Sequence, residues 1–258
     1  MTDLISKNYM QLYRKLNFFN PLRYLYFFEK ILLKSYEKNI INSFSHTVLV
    51  SQADKNKFSI KNRLKKKIRI ISNGTDLKAK SYKFEKKNKD IVFIGNINYE
   101  PNKLACYEFI KDIMPKLENQ GLNINFKIIG QTSLFLKLRL ASYKNVNVFN
   151  NVKSMENLCK NAICGISNLS VVSGIQNKIL EYMRIGLPAV ISQKCFESIN
   201  AKKNCEVCVY STQDEFVKQI LKLKNNKKFA KRISNNCHKK IKSYYSWNKS
   251  LKKNNKLF

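Results

Sequence analysis

The sequence predicts an α/β protein built on a doubly wound parallel sheet. Short runs of β-branched and aliphatic residues alternate with longer segments of helical periodicity. A chain of 258 residues, 44% of them hydrophobic, can also bury the core that such a sheet needs. This alternation implies right-handed crossovers and helices on both faces of the sheet. Because such sheets bind ligands beyond the carboxyl ends of their strands, function is expected in the strand-to-helix loops.

The alternating part of the chain contains eight predicted strands and five predicted helices. The strands cover residues 46–50, 68–71, 91–94, 124–129, 146–149, 163–167, 189–192 and 207–210. The helices cover residues 103–118, 133–142, 154–161, 176–184 and 212–223. We therefore expect a doubly wound domain over residues 46–235, followed by a terminal helix over residues 236–258.

The first 45 residues follow a different pattern. Residues 8–40 place apolar and aromatic side chains at mostly helical spacing among lysines and arginines, with an interruption near Pro21. A helix on an anionic membrane surface has this pattern, because its apolar face enters the headgroup boundary while its cations meet the lipid. A helix packed on a partner domain has the same pattern, since burial also selects one apolar face. The sequence leaves both alternatives open.

The chain is strongly basic, with 49 Lys and Arg, 17 Asp and Glu, and a net charge of +32. Such a charge attracts nucleic acid, anionic lipid or a phosphate-bearing ligand. The cations are spread along the chain together with many Asn and Ile residues, as AT-rich codons would produce. Of the two densest runs, 61–69 contains no aromatic residue and 222–232 contains only Phe229, so neither shows the series of interleaved aromatic residues that stacks on bases. No nucleic-acid partner is predicted, and an anionic membrane surface or an acidic glycan is the alternative for these runs.

The cysteine content and the hydropathy of the sequence indicate where the protein is located and whether it binds a metal. The seven cysteines are scattered and odd in number, and no secretory apolar segment opens the chain. Reduced thiols in a cytoplasmic protein are expected. Cys205 and Cys208 have zinc-ligand spacing but no second pair, so no metal site is predicted. Since no apolar run approaches the roughly 18 residues of a spanning helix, we expect a cytoplasmic protein, soluble or peripheral on the inner face of the membrane.

The loop after the third predicted strand is the first candidate site. Gly95 lets the backbone approach a ligand. Asn102 is predicted to cap the next helix, whose first N–H groups could bind an anion. Gly95, Asn96 and Asn102 are therefore candidate ligand-binding residues. The loop lacks the G-x-G-x-x-G pattern of a dinucleotide site, and a strand-to-helix turn without a ligand is the alternative.

The loop before the fourth predicted helix carries the stronger signal. Gly174 lies near the helix start, where unpaired N–H groups and the positive end of the helix dipole favour anions. Lys178 adds a point charge suited to a phosphate. Glu181 lies on the same helical face and can accept hydrogen bonds from two adjacent hydroxyls, as a ribose presents. The alternative is an ordinary Lys/Glu pair on a helix surface. Gly186 and Pro188 end the helix before a buried strand, which puts its start at the ligand-binding edge.

These residues resemble a known donor-site signature. Residues 174–181, Gly-Ile-Gln-Asn-Lys-x-Leu-Glu, and residues 186–190, Gly-x-Pro-x-Val, look like the motif of the retaining GT-B glycosyltransferases with two glutamates eight positions apart, the glycosyl transferases group 1. The branch most similar is that of bacterial sugar transferases for exopolysaccharide and cell-envelope glycans. Ser173 stands at the position of the first glutamate. Further agreement covers most of the chain after residue 40.

The resemblance implies a fold, a reaction and a site. The fold would be the Rossmann-like carboxy-terminal half of a GT-B enzyme. The reaction would move a sugar, such as a hexose, from a nucleotide diphosphate sugar to a glycan or lipid-linked acceptor, with retention and without a metal or other cofactor. Lys178 would neutralise the pyrophosphate and Glu181 would bind the ribose, so these two are the implied catalytic residues. The residues implied to bind the nucleotide sugar are Gly95, Asn96, Asn102, Gly174, Ile175, Gln176, Asn177, Lys178 and Glu181.

The amino-terminal part resembles only a small piece of such an enzyme. Residues 1–45 are similar to the last helices of the acceptor-binding domain, and residues 236–258 to the helix that crosses back toward it. A separately encoded amino-terminal domain is therefore an expected partner. The alternatives are a non-catalytic nucleotide-sugar-binding subunit and an inactive remnant of a split gene.

Overall fold

The computed structural model describes residues 4–78 and 80–252 of the chain. Every strand predicted from the sequence is present, with ends that differ by at most one residue. The strands are β1 (Thr47–Leu49), β2 (Ile68–Ile70), β3 (Asp90–Ile94), β4 (Asn125–Ile129), β5 (Val146–Phe149), β6 (Ala162–Ser167), β7 (Ala189–Ser192) and β8 (Cys208–Tyr210). The buried parallel strands were predictable because they form short, nearly continuous apolar runs.

Six of these strands form one parallel sheet in the order β5-β4-β3-β6-β7-β8. The chain moves outward from β3 through β4 to β5, and β6 then returns to the other side of β3. The strand order therefore reverses between β3 and β6, and the loops that follow these two strands face each other across a crevice. These are the two loops singled out from the sequence, and the predicted doubly wound α/β fold is confirmed.

The strands β1 and β2 do not join this sheet. They pair with each other in a separate two-stranded parallel sheet. Their side chains pack with the first helices in a core of their own, formed by Leu4, Ile41, Leu49, Phe58, Leu64 and Ile68. The doubly wound sheet therefore begins at β3, and the two strands predicted at residues 46–50 and 68–71 lie outside it. The residues described between β2 and β3 form no helix, so the small sheet is not joined to the large one by a helical crossover in this part of the chain.

Helices cover both sheets. They are α1 (Ile5–Lys15), α2 (Pro21–Ser43), α3 (Gln52–Lys57), α4 (Asn62–Lys65), α5 (Glu100–Glu108), α6 (Met114–Asn119), α7 (Leu134–Ala141), α8 (Met155–Cys159), α9 (Asn177–Arg184), α10 (Gln193–Phe196), α11 (Gln213–Asn225), α12 (Lys227–Lys240) and α13 (Trp247–Lys252), with π-helical turns at Phe109–Ile113 and Ile241–Tyr245. The break near Pro21 is present between α1 and α2. The parts of the predicted segments at residues 1–3, 79 and 253–258 lie outside the described residues.

The predicted capping role of Asn102 was wrong. The helix begins earlier, at Glu100, and Tyr99 occupies the capping position. Pro101 explains the difference, because proline fits the first turn, where its missing N–H has no partner to lose. Asn102 instead lies inside the first turn with a buried side chain.

Tyr182 of α9 contacts the ends of both strands, β3 and β6, whose loops form the crevice. Its ring packs where Gly165 of β6 leaves room, since a Cβ at Gly165 would lie 2.4 Å from the ring. Its hydroxyl accepts a hydrogen bond from the Ile94 N–H (2.9 Å) and lies 3.2 Å from the carbonyl oxygens of Val92 and Ile166. The side chain thus fixes α9 against the ends of β3 and β6.

The substitution Tyr182→Phe should lower the free energy of unfolding by about 1 to 3 kcal/mol, because it leaves buried backbone groups without their partner. Urea denaturation measures this change. Tyr107→Phe is the matched control. The Tyr107 hydroxyl is buried and has no hydrogen-bond partner among the described residues, so its removal should be neutral or slightly stabilising. Equal losses in the two variants would contradict the role assigned to the Tyr182 hydroxyl.

Candidate functional site

A cavity of about 460 Å³ lies in the crevice between the loops after β3 and β6. Its volume is within the range of about 300 to 1,000 Å³ that small-ligand sites occupy. We call it the switch-point cavity. Its lining residues are Asn8, Ile94, Gly95, Tyr99, Asn102, Val171, Ser173, Ile175, Gln176, Asn177, Lys178 and Glu181. Seven of the nine residues implied by the sequence therefore line one cavity, and Asn96 and Gly174 do not.

Lys178 is a buried cation at the back of this cavity. Its Nζ donates a hydrogen bond to Asn102 Oδ1 (2.7 Å) and lies 3.7 Å from the centre of the Phe93 ring. Burial lowers the pKa of Lys178 to about 8, because the charged form loses its hydration. Among the described residues, no carboxylate lies within ion-pair distance of it. An anion in the cavity would therefore supply the countercharge that the protein does not.

The β3 loop holds Lys178 in place. Asn102 Nδ2 donates to the carbonyl oxygen of Asn96 (2.8 Å), while the Asn96 side chain accepts from the Asn98 N–H (3.0 Å). Asn96 thus shapes the loop instead of facing the cavity. Gly95 has a φ of +157°, and a Cβ there would lie 2.9 Å from Asn102 Nδ2 and 3.4 Å from Lys178 Nζ. A larger residue would displace both side chains.

Glu181 is fixed by partners on both carboxylate oxygens. Oε2 accepts from Arg184 at 2.7 and 3.0 Å, and Oε1 accepts from Thr75 Oγ1 at 3.3 Å. Arg184 also donates to Glu156 (2.8 Å). The longer bond from Thr75 leaves Oε1 as the oxygen that a ligand hydroxyl can engage at little cost. The carboxylate is thus oriented toward the cavity before any ligand arrives.

The structure corrects the position of Gly174. The helix begins at Asn177, and Gly174 precedes it with a left-handed φ of +64°. This backbone turns the Gly174 N–H toward α3, where it donates to Asp54 Oδ2 (2.7 Å). Asp54 is fully buried, and its other oxygen pairs with Lys7 Nζ (2.6 Å). The amide implied to bind the donor is therefore held by a protein carboxylate, while Ile175 and Gln176 do line the cavity.

The first helix also forms part of the site. Asn8 of α1 lines the switch-point cavity. Gln11 pairs with the backbone of Val172 in both directions, donating to its carbonyl at 3.0 Å and accepting from its N–H at 3.2 Å. Ser173 Oγ donates to the Leu4 carbonyl at 3.1 Å. The loop after β6 is thus supported by residues more than 150 positions away in the sequence.

Sequence analysis missed the residues that hold the cavity-lining residues and the loop after β6 in place. Asp54 had a signal, since it is the sole acidic residue between Glu37 and Asp76 in a basic stretch. Arg184 had a weaker one, its position three residues after Glu181 on a helix. Thr75 had none, because its contact joins distant parts of the chain.

His238 has a structural role, because its Nδ1 lies 2.8 Å from the carbonyl oxygen of Arg184. Within residues 4–78 and 80–252, no group of three or more metal-ligating side chains comes together. The cysteines are free thiols, all buried except the half-buried Cys205, and burial raises the pKa of Cys106 to about 12. No helix in the described part of the chain combines the length and apolar composition needed to cross a membrane.

A family model agrees with this architecture. The model described as Glycosyl transferases group 1 matches residues 88–226. The matched segment contains all six strands of the large sheet and both loops of the crevice. A comparison with the curated proteins finds no match.

Solved structures share the fold. TarM aligns with a TM-score of 0.68 and 18% identity, over 86% of this chain and 46% of that one. Anabaena HepE, solved in complex with UDP-glucose, has a TM-score of 0.66 and 13% identity, over 88% of this chain and 66% of that one. WaaG, a glycosyltransferase involved in lipopolysaccharide biosynthesis, has a TM-score of 0.57 and 11% identity, over 80% and 60%. The present chain thus spans about half the length of TarM.

Proposed function

Because the chain belongs to the glycosyl transferases group 1 family, we propose that it transfers a sugar from a nucleotide diphosphate sugar to a glycan or lipid-linked acceptor. The observation that carries this proposal is the switch-point cavity, which unites a buried cation at Lys178 with an oriented carboxylate at Glu181. A nucleotide diphosphate needs both features, one for its phosphates and one for its ribose. HepE, which has the same fold, was solved with UDP-glucose bound.

The two side chains have separate roles in this proposal. Glu181 accepts hydrogen bonds from the ribose hydroxyls through Oε1, while Arg184 holds Oε2. Lys178 neutralises the diphosphate, whose negative charge grows as the bond to the sugar breaks. A cation already positioned in a poorly solvated site stabilises that charge without reorganisation. This supports transfer without a metal, since Lys178 supplies the positive charge.

The finer features of the proposal rest on the family. Transfer with retention and a role in cell-envelope or exopolysaccharide synthesis are proposed from the resemblance of residues 174–190 to that branch. The involvement of WaaG in lipopolysaccharide biosynthesis is consistent with it. We propose a cytoplasmic enzyme with no cofactor besides the donor substrate.

The donor site can be tested by thermal stabilisation. A nucleotide at about 100 times its dissociation constant should stabilise the protein by about 2.7 kcal/mol. UDP, GDP, CMP and their sugars are compared, and we expect selective stabilisation by one nucleotide. Glu181→Ala should abolish it, because the ribose loses its acceptor.

Glu156→Ala is the matched control for this measurement. Glu156 also pairs with Arg184 but does not line the cavity, so this variant should keep the nucleotide response. A folded protein indifferent to every nucleotide would contradict the donor site and favour the inactive remnant.

The partner of the protein is proposed from α2. Its residues Leu22, Leu25, Phe28, Leu32 and Tyr36 form one exposed stripe, each about half or more exposed. We call this stripe the apolar face of α2. In a chain that spans half of TarM, such a face is typical of contact with a further domain. A separately encoded acceptor domain would make this chain its nucleotide-sugar-binding subunit, and an anionic membrane surface is the other proposed partner.

The double variant Phe28→Ser with Leu32→Ser tests the membrane alternative. Both side chains are exposed (62% and 65%), so the free energy of unfolding should change by less than about 0.5 kcal/mol. Co-sedimentation with anionic vesicles should fall. Leu134→Ser with Leu138→Ser on α7 is the control, since these residues are equally exposed (72% and 63%). Sedimentation of the unchanged protein that does not depend on anionic lipid would favour a protein partner.

A further inference from the structure

A second cavity, of about 690 Å³, lies beside the first. It is enclosed by α1, α2, α3 and the segments after β6 and β7. Its lining residues are Leu4, Ser6, Lys7, Met10, Gln11, Arg14, Lys15, Lys30, Lys34, Ala53, Lys57, Phe58, Ser59, Val172, Lys194, Glu197 and Ser198. We call it the basic cavity.

The basic cavity concentrates positive charge beyond the average of the chain. Seven of its seventeen lining residues are Lys or Arg, against 49 of 258 in the whole sequence. Glu197, the one carboxylate among the described residues that line the cavity, already pairs with Lys57 (2.5 Å). Lys7 pairs with Asp54 behind the cavity wall. A general excess of lysine in the chain does not account for this local clustering.

Two of the cations that line the basic cavity, Lys15 and Lys194, converge on Ser170, which lines a neighbouring cavity that also contains Lys194. The Nζ of Lys15 contacts Ser170 Oγ, and the Nζ of Lys194 donates to the Ser170 carbonyl oxygen (2.8 Å). Partial burial and the neighbouring Lys194 lower the pKa of Lys15, although Glu108 acts in the opposite direction. Two ammonium groups at one serine repel each other, and an anion placed between them would relieve that repulsion.

The basic cavity shares a wall with the switch-point cavity. Along the loop after β6, Val171 and Ser173 line the switch-point cavity, whereas Val172 lines the basic cavity. Along α1, Asn8 faces the first cavity and Lys7 faces the second. The two cavities are thus separated by one loop and one helix.

We propose that the basic cavity binds the phosphate or pyrophosphate group of an anionic acceptor, beside the donor site. This inference rests on the proposed function, since it names the acceptor class. Lys and Arg side chains bind phosphate oxygens through charge-assisted hydrogen bonds. The size of the cavity and its seven cations suit a group with several negative charges better than a neutral sugar.

Calorimetric titration with inorganic tripolyphosphate tests the assignment at about 0.15 M salt, where surface charges are screened. A saturating nucleoside diphosphate is present to fill the switch-point cavity. The variant Lys15→Gln with Lys194→Gln is compared with Lys228→Gln and Lys231→Gln on α12. None of the four residues is buried, so both variants should fold, and both lose two charges. We expect the cavity variant to bind tripolyphosphate at least about tenfold more weakly, and the control variant to bind it as the unchanged protein does.

Equal affinities in the two variants, or no binding to the unchanged protein, would overturn the proposal. Nucleotide-dependent thermal stabilisation is measured in the same variants and should be unchanged in the cavity variant. If the protein shows no nucleotide response but binds tripolyphosphate selectively, the result would contradict the proposed function. The anion site would still be supported. A soluble sugar phosphate and vesicles carrying a lipid-linked sugar pyrophosphate then distinguish a free acceptor from a lipid-linked one, and binding of either form supports the proposal.

Discussion

Replacing Lys178 with methionine should weaken nucleoside diphosphate binding by about 10- to 100-fold and leave the protein at least as stable as before. The loss in affinity follows from removing a charge-assisted hydrogen bond of about 1.5 to 3 kcal/mol. Stability should be kept because methionine is a flexible apolar residue that can pack against the Phe93 ring, while an ammonium group without a carboxylate partner is no longer buried. Calorimetric titration and urea denaturation measure the two quantities.

The pH dependence provides a second readout of the same residue. Burial lowers the pKa of Lys178 from 10.5 to about 8. The affinity of the unchanged protein for a nucleoside diphosphate should therefore fall as the pH rises through about 8, because the cation that faces the phosphates is lost. In the methionine variant this decline should be absent. An identical decline in both proteins would assign the titration to another group.

Lys178 also affects stability at alkaline pH. Between about 8 and 10.5 the unfolded chain holds the Lys178 proton, whereas the folded protein has released it. Stability rises with pH wherever the unfolded state binds more protons. The contribution of Lys178 to the free energy of unfolding should therefore rise across this window and be missing from the variant.

Replacing Asp54 with asparagine should lower the free energy of unfolding by about 3 kcal/mol and weaken nucleotide binding as well. The carboxylate is fully buried between Lys7 (2.6 Å) and the Gly174 N–H (2.7 Å). Removing one partner of a buried pair leaves the other charge uncompensated. Asparagine has one acceptor oxygen for these two donors, so its NH2 group must face either Lys7 or the Gly174 N–H, and the left-handed turn at Gly174 is held less firmly. Urea denaturation and nucleotide-dependent thermal stabilisation measure the two effects.

Asp214→Asn is the control for this prediction. Asp214 pairs with Lys116 at 2.8 Å but has a side chain that is 89% exposed, and surface pairs of this kind contribute little. A loss at Asp54 no greater than the loss at Asp214 would show that burial of the carboxylate does not matter for the fold. Full nucleotide binding in a destabilised Asp54 variant would show that the loop keeps its shape without the anchor.

The fold was largely predictable because its signals are local. Each buried strand is an apolar run of a few residues, and each strand end is marked by a change of residue type. The pairing of β1 with β2 was not predictable in the same way, because three-residue strands resemble those of the large sheet in sequence. What distinguishes them is their pairing with each other and the separate core that Leu49 and Ile68 share with Leu4 and Ile41, both of which join distant parts of the chain.

The site was predictable where its residues are close in sequence. Lys178 and Glu181 are three positions apart on one helix, so their shared face follows from helical geometry. The contact between Asp54 and Gly174 joins residues 120 positions apart, and that between Thr75 and Glu181 joins residues 106 positions apart. No local pattern encodes such pairs. For this reason the sequence predicted that the Gly174 N–H would be free to bind a ligand, whereas it donates a hydrogen bond to Asp54.

Residues of α1 and α3, which lie outside the segment matched by the family model, support the loop after β6. Residues 88–226 are sufficient for recognition of the family. They do not include Gln11 and Asp54, which contact the loop after β6, Thr75, which contacts Glu181, or Asn8, which lines the cavity. An excised domain with those boundaries would keep every strand of the large sheet and lose the scaffold of its ligand-facing turn. The segment that identifies the family is therefore shorter than the segment that holds the residues around the switch-point cavity in place.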